Sequence, residues 1–189
     1  MRVTGGKHRG RRIEAGAGRE VRPTAIRARQ ALFNILAHSP KLLADPPLPA
    51  EARVVDVFAG TGALGFEALS RGASHVTFID NDEAALSLIK RNAARLNETE
   101  QVSVLQRDAT APGHASVTCD LAFLDPPYRS GLAVLALSAL AREAWLRPGT
   151  IAVVELAANE EFAPPEGFEI VETRVHGAAK VLIARKTSL

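Results

Sequence analysis

Asp125-Pro126-Pro127-Tyr128 gathers in four residues the groups needed to hold an amine. The run before it, Asp120-Leu121-Ala122-Phe123-Leu124, reads as a buried strand, so the tetrapeptide stands at a strand's carboxyl end. Prolines carry no N–H and hold φ at about −65°, which makes the turn rigid, rich in acceptors and poor in donors. A carboxylate and backbone carbonyls suit a planar amino group, which has hydrogens to give. Tyr128 adds a flat face on which a base can lie. On a plainer reading, the same residues are a proline-rich turn that ends a strand.

A second motif points to what else binds. Gly60-Thr61-Gly62-Ala63-Leu64-Gly65 satisfies G-x-G-x-x-G directly after an apolar strand and at the opening of a helix. Asp80 lies twenty residues beyond Gly60, at the end of the next strand. Glycines let a ligand approach the backbone, and an acid at that place can hold ribose hydroxyls, so an adenosine-containing cofactor is expected. The alternative is a glycine turn used only for tight helix–sheet packing. A dinucleotide would set its pyrophosphate on the helix amino end, where Asp56 would repel it. S-adenosylmethionine carries no phosphate, and its cationic amine is favoured by the same acid. Asp108 ends a third strand and can accept from an adenine amino group, while the Ala109 N–H can meet a ring nitrogen. Asp56, Asp80, Asp108 and Asp125 thus stand at or just beyond the carboxyl ends of successive strands, the edge at which open α/β sheets bind ligands. The set favours a methyl donor over NAD. Asp82 reads instead as a helix cap.

These residues need a frame to position them. Strands are expected at Arg53–Phe58, His75–Ile79, Val102–Gln106, Leu121–Leu124 and Ile151–Leu156. Helices are expected at Ala63–Arg71, from Asp82 to about Leu96, and at Leu132–Trp145, the last stopped by Pro148-Gly149. Such alternation implies right-handed crossovers and a parallel sheet covered on both faces. Glu169–Val175 and Val181–Ala184, joined by a tight turn at Gly177, must pair antiparallel. Seven strands result. Ahead of them, residues 1–21 suggest a hairpin or extended arm with apolar spots at Val3 and Ile13. A helix then opens at Pro23-Thr24, capped by Thr24, with Ile26, Leu32, Phe33, Ile35 and Leu36 on its apolar face.

Composition narrows the setting. The 189 residues suit one main domain (53–189) with a basic extension (1–38). No run of 18 apolar residues exists, so no membrane span is indicated, and the first residues lack the apolar stretch of a secretory signal. Cys119 is the single cysteine and reads as a core residue, which excludes an internal disulfide and fits a reducing, cytoplasmic setting. His8, His38, His75, His114 and His176 show no ligand spacing, so no metal is expected. Net charge is only +2, yet residues 1–30 carry nine Lys/Arg against Glu14 and Glu20. That asymmetry suggests a polyanion held by the amino end, with Lys7, Arg9, Arg11, Arg12, Arg22 and Arg27 as candidate nucleic-acid contacts. A solvated basic tail is the alternative.

Asp56-Val57-Phe58-Ala59-Gly60-Thr61-Gly62-Ala63-Leu64-Gly65 resembles the methionine-binding loop of class I S-adenosylmethionine-dependent methyltransferases, and Asp125-Pro126-Pro127-Tyr128 resembles their amino-methylating signature [DNS]-P-P-[YFW]. Three further stretches make the chain similar to the RsmD family, bacterial enzymes that methylate a guanine exocyclic N2 in 16S ribosomal RNA. These are Arg22-Pro23-Thr24 with Arg27 and Ala31-Leu32-Phe33-Asn34-Ile35-Leu36, then Gly65 through Ala73, and the opening Met1-Arg2-Val3-Thr4-Gly5-Gly6 with Gly10-Arg11-Arg12. The resemblance implies a Rossmann-like α/β fold with a seven-stranded, mostly parallel sheet and an antiparallel final strand. It implies catalytic Asp125, Pro126, Pro127 and Tyr128. It also implies a cofactor site of Asp56, Phe58, Ala59, Gly60, Thr61, Gly62, Asp80, Asn81, Asp108 and Ala109. Small ribosomal subunits are the expected partner, and a monomer is expected. Ile26 and Gln30 stand where the family usually has acids, Asp80 replaces a more common Glu, and His176 a frequent Tyr. Rival readings are an adenine-N6 DNA methyltransferase, a glutamine-amide methyltransferase, an NAD-dependent oxidoreductase and a non-catalytic RNA-binding assembly factor.

Overall fold

The structure, a computed structural model, describes residues 1–16, 23–42 and 45–188. Seven strands form one sheet: β1 (Arg53–Val57), β2 (His75–Asp80), β3 (Val102–Gln106), β4 (Cys119–Leu124), β5 (Leu146–Ala157), β6 (Phe168–His176) and β7 (Ala179–Lys186). Their order is β3-β2-β1-β4-β5-β7-β6. The first five run parallel, and β7 pairs antiparallel with both β5 and β6. The order reverses at β1, so the carboxyl ends of β1 and β4 flank the point where α/β sheets open a ligand crevice. This is the Rossmann-like methyltransferase fold.

Period-2 alternation sends residues to two buried faces. Val54, Val76, Phe78, Leu121, Phe123, Ile151 and Val153 join one core with α1 (Pro23–His38), α2 (Ala63–Ser70) and α3 (Glu83–Leu96). Val55, Ile79, Ala122, Leu124, Ala152 and Val154 join the other with α4 (Leu132–Arg142). Strands buried on both faces read as continuous apolar runs, which is why β1 and β4 were legible. Asp56 shares the face of Val54, beneath α2.

Residues 1–13 form the expected hairpin, with Val3 N–H donating to Arg11 O and Ile13 N–H to Met1 O. It is seated on the carboxyl end of α2. Glu67, 1% exposed, accepts from Thr4 N–H (2.8 Å), Thr4 Oγ1 (2.6 Å) and Arg71 Nε (2.9 Å), and pairs with buried Arg29 of α1 at 3.4 Å. Ser70 O accepts from Lys7 N–H, and Ser70 Oγ donates to Gly5 O. Gly6, at φ +72°, lies so close that a Cβ there would fall 1.7 Å from Ser70 O.

Three boundaries differ from the sequence reading. α1 begins at Pro23, so Thr24 is inside the helix rather than its cap; proline suits the first turn because its missing N–H would have no partner there. α4 ends at Arg142, because Ala144 turns to φ 61° and delivers Trp145 into the core, where Nε1 donates to Gly113 O. β5 starts already at Leu146. Pro148-Gly149 sit inside it, at a register jump from Cys119–Leu146 to Leu121–Ile151. Thr150 Oγ1 bridges that bulge, accepting from Arg147 N–H and donating to Cys119 O. Cys119 is itself buried, and burial pushes its thiol up to about 12, as befits a core residue.

Candidate active site

A cavity of about 920 Å³ opens at the carboxyl ends of β1, β2 and β4. It brings together Asp56, Phe58, Ala59, Gly60, Thr61, Asp80 and Asn81 with Asp125, Pro126, Pro127 and Tyr128. The glycine loop and the Asp-Pro-Pro-Tyr turn, sixty-odd residues apart in sequence, thus share one chamber.

The loop is held from beneath and beside. Asp56 accepts the Gly65 N–H at 2.9 Å, tying β1 to the first turn of α2. Gly65 is required here by contact: a Cβ would stand 2.3 Å from the Phe78 ring. Asp80 accepts Gly60 N–H at 2.8 Å through Oδ2 and Asp82 N–H at 3.0 Å through Oδ1, so it clamps the glycine loop while facing the cavity. Each of its oxygens keeps a second lone pair for a ligand hydroxyl. Phe58 adopts φ 56°, a left-handed conformation that bulky side chains rarely accept, and its strain is concentrated where the loop leaves β1. Asp82 caps α3 by accepting Ala84 N–H.

Electrostatically the chamber is acidic. Burial pushes the Asp56 carboxyl well above its ordinary value of 3.8; the Gly65 N–H opposes this, and the charges of Asp125 and Asp80 add to it. A cation bound beside Asp56 would remove that penalty. At the mouth, the Tyr128 hydroxyl donates to Glu155 Oε1 at 3.0 Å, and burial followed by the Glu155 charge raises its pKa, so it remains a donor. The turn is braced by Ser130 Oγ donating to Pro127 O and by Arg129 N–H donating to Glu160 Oε2. Pro126 O accepts no hydrogen bond among the described residues.

Asp108 and Ala109 do not line this cavity. Asp108 is exposed and accepts from Thr110 N–H and Oγ1, each at 2.8 Å, which hold its carboxyl below the usual range; Ala109 is buried in the core. Gly62 also stands behind the lining, at the entry to α2. Residues the motifs did not indicate take part instead. Glu14, Ala15 and Gly16, just after the hairpin, form a wall with Leu88 and Arg91 of α3. Glu14 pairs with Arg91 (3.3 Å) and Arg95 (2.7 Å), and its backbone is held by Asn92. The available signal was weak: Glu14 is one of two acids in a basic segment.

The basic candidates separate. Lys7 pairs with Glu98 at 2.6 Å, and Arg11 donates to the Leu96 and Arg95 carbonyls at the carboxyl end of α3. Arg9, Arg12 and Arg27 are exposed, and Arg22 lies outside the described residues. Among the described residues no cluster of His, Cys, Asp or Glu could hold a metal, and no helix is long and apolar enough to cross a membrane.

Comparison with known proteins sharpens this geometry. The model of the family described as Conserved hypothetical protein 95 matches residues 1–185. Ribosomal RNA small subunit methyltransferase D from Haemophilus influenzae is 32% identical over 181 residues, covering 94% of this chain and 89% of that one. The chain belongs to the RsmD family. The protein of the same name from Escherichia coli K12 is 34% identical over 155 residues, covering 82% and 74%. The solved structure of yhhF from Escherichia coli superposes with a TM-score of 0.85 at 31% identity, covering 100% of this chain and 99% of that one. HI0767 from Haemophilus influenzae gives 0.79 at 28%, covering 99% and 98%. Membership in the RsmD family extends over the hairpin and α1 as well as the sheet, so the amino-terminal extension is a family feature.

Proposed function

We propose that this RsmD-family protein transfers a methyl group from S-adenosylmethionine to the exocyclic N2 amine of one guanine in 16S ribosomal RNA, within a protein-loaded small subunit. The observation that carries the reading is the junction of the Asp125-Pro126-Pro127-Tyr128 turn with the acid-lined chamber below it. The chamber's chemistry fits the cofactor: buried Asp56 for a cationic amine, Asp80 for ribose hydroxyls, and a glycine loop close to both. Bound there, S-adenosylmethionine would supply an electrophilic methyl group.

The rest is the work of this chain. A guanine N2 lone pair is delocalised into the ring and is a poor nucleophile. Asp125 and the Pro126 carbonyl accept its two hydrogens, hold the amine in place and stabilise the positive charge that grows on nitrogen as it reacts. The methylated amine is acidic, so its proton leaves late, to Asp125 or to water. The base must leave its stack, at a cost of a few kcal/mol that is least for an unpaired nucleotide. Stacking on Tyr128 returns about 1–3 kcal/mol. A loop or bulge nucleotide balances these best.

The test is transfer of labelled methyl from S-adenosylmethionine to small subunits taken from cells lacking this protein, with Asp125→Ala alongside. Label in a single 16S guanine is expected, reduced about 10²- to 10³-fold by the substitution, as when one aimed transition-state partner is removed. Label in DNA adenine, or in none of these, would refute the reading.

A further inference from the structure

A second carboxylate, Glu155, joins Asp125 around Tyr128. β4 and β5 are parallel, with Phe123 opposite Val153 and Leu124 opposite Val154. β4 ends at Leu124, and its register continued by one residue would bring Asp125 alongside Glu155 on the same side of the sheet; the charges of both act on Tyr128. Glu155 is half-buried, and its Oε1 accepts the Tyr128 hydroxyl at 3.0 Å. Its Oε2 has no hydrogen-bond partner among the described residues. Asp125, Pro126 and Tyr128 line the cavity, and Glu155 is bonded to Tyr128 outside that lining, so two carboxylates and the Pro126 carbonyl, all acceptors, lie around the Tyr128 side chain.

We propose that Glu155 reads the target base, accepting the ring N1–H of the guanine whose N2 amine rests on Asp125. This deepens the guanine-N2 reading and rests on it. Guanine's edge carries N1–H directly beside the N2 hydrogens, an unbroken row of donors. Adenine offers its N6 hydrogens beside an N1 lone pair, which would face a carboxylate without a proton between them. Paired carboxylates on neighbouring strands thus select guanine, because a site built to hydrogen-bond a group rejects a substrate lacking it. The Tyr128–Glu155 bond fixes the reading carboxylate against the face on which the base stacks.

The experiment uses small subunits reconstituted with 16S RNA in which the labelled guanine is replaced by 2-aminopurine. That base keeps the N2 amine but has an acceptor at N1. The native chain is expected to favour guanine at least tenfold in kcat/KM. Glu155→Gln, whose amide can donate to N1, is expected to lose at least tenfold on guanine and to narrow or invert the preference, with S-adenosylmethionine affinity unchanged. Tyr128→Phe removes the tether but keeps the ring, and is expected to slow both substrates and to narrow the preference less than Glu155→Gln does. If Glu155→Gln keeps that preference, Glu155 only positions Tyr128 and the inference is overturned while the guanine-N2 reading stands. If the native chain labels no guanine, both fall together.

Discussion

Asp56 carries a conflict that a ligand would resolve. Its folded-state pKa is raised, so its contribution to stability is greatest below the ordinary carboxylate value of 3.8 and is lost as pH rises through the folded value. At neutral pH the acid therefore weakens the free protein, a cost tolerable only if the charge serves binding. Asp56→Asn keeps an acceptor for Gly65 N–H but removes the ionisation. We expect it to raise the melting temperature of the free protein by about 2–4 °C, the shift that accompanies about 1 kcal/mol at this size. We also expect it to weaken S-adenosylmethionine binding at least tenfold. Binding to the native chain should release protons at pH values between 3.8 and the raised value, because a cation pulls the carboxyl back down. Calorimetry in buffers of different ionisation enthalpy reads this directly; unchanged affinity in the variant would show that Asp56 serves the Gly65 contact alone.

At the scale of elements, the hairpin is a part of the enzyme's wall. Gly5-Gly6 fit against α2, Glu67 and Ser70 hold the strand, and Glu14 then reaches the cavity. Burial would raise the Glu98 carboxyl, but Lys7 and His8 bond to it and hold it below the usual range, which fastens the hairpin tip. Gly6→Ala must displace backbone, since Ser70 O cannot yield, and should cost at least about 2 kcal/mol and expose amides of residues 1–16 to hydrogen exchange. Gly10→Ala is the control: its φ of +83° carries strain, but nothing lies within 4 Å, so about 1 kcal/mol and an intact hairpin are expected. Equal protection in both variants would separate the hairpin from the site.

Over the whole molecule, positive charge is concentrated in the first thirty residues, yet folding uses part of it internally. Lys7 and Arg11, though exposed, are bonded to Glu98 and to α3 carbonyls, while Arg9, Arg12 and Arg27 are also exposed and Arg22 lies beyond the described residues. Three or four phosphate contacts give a slope of log K against log salt of about −2 to −4. Filter binding to 16S RNA between 50 and 200 mM salt, a range chosen to span about one screening regime, measures it; a much steeper slope would mean that Lys7 and Arg11 leave their partners to grip RNA. So small a grip on RNA also favours a substrate completed by ribosomal proteins. Methylation should be at least tenfold faster on protein-loaded subunits than on naked RNA, and equal rates would count against that.

What the sequence determined by itself were the parts whose information is local. Doubly buried strands announce themselves as apolar runs, glycine spacing marks the loop after β1, and proline and aromatic types mark the turn after β4. Family likeness then joined them, and in the fold both stretches line one cavity. Tertiary structure decided what depends on partners far away in the chain. Asp108 has the same residue type and strand-end position as Asp80, but only Asp80 meets the Gly60 amide of the loop that follows the neighbouring strand β1. Arg11 reads as a nucleic-acid contact from its charge alone, and only the fold brings it the α3 carbonyls it bonds to. Glu14 and Glu155 carry no motif, since one is placed by a hairpin docking on α2 and α3 and the other by β5, which brings it to the Tyr128 hydroxyl. Charge and type are written in a residue; whether that charge is spent inside the fold or presented to a substrate depends on which neighbours the packing supplies.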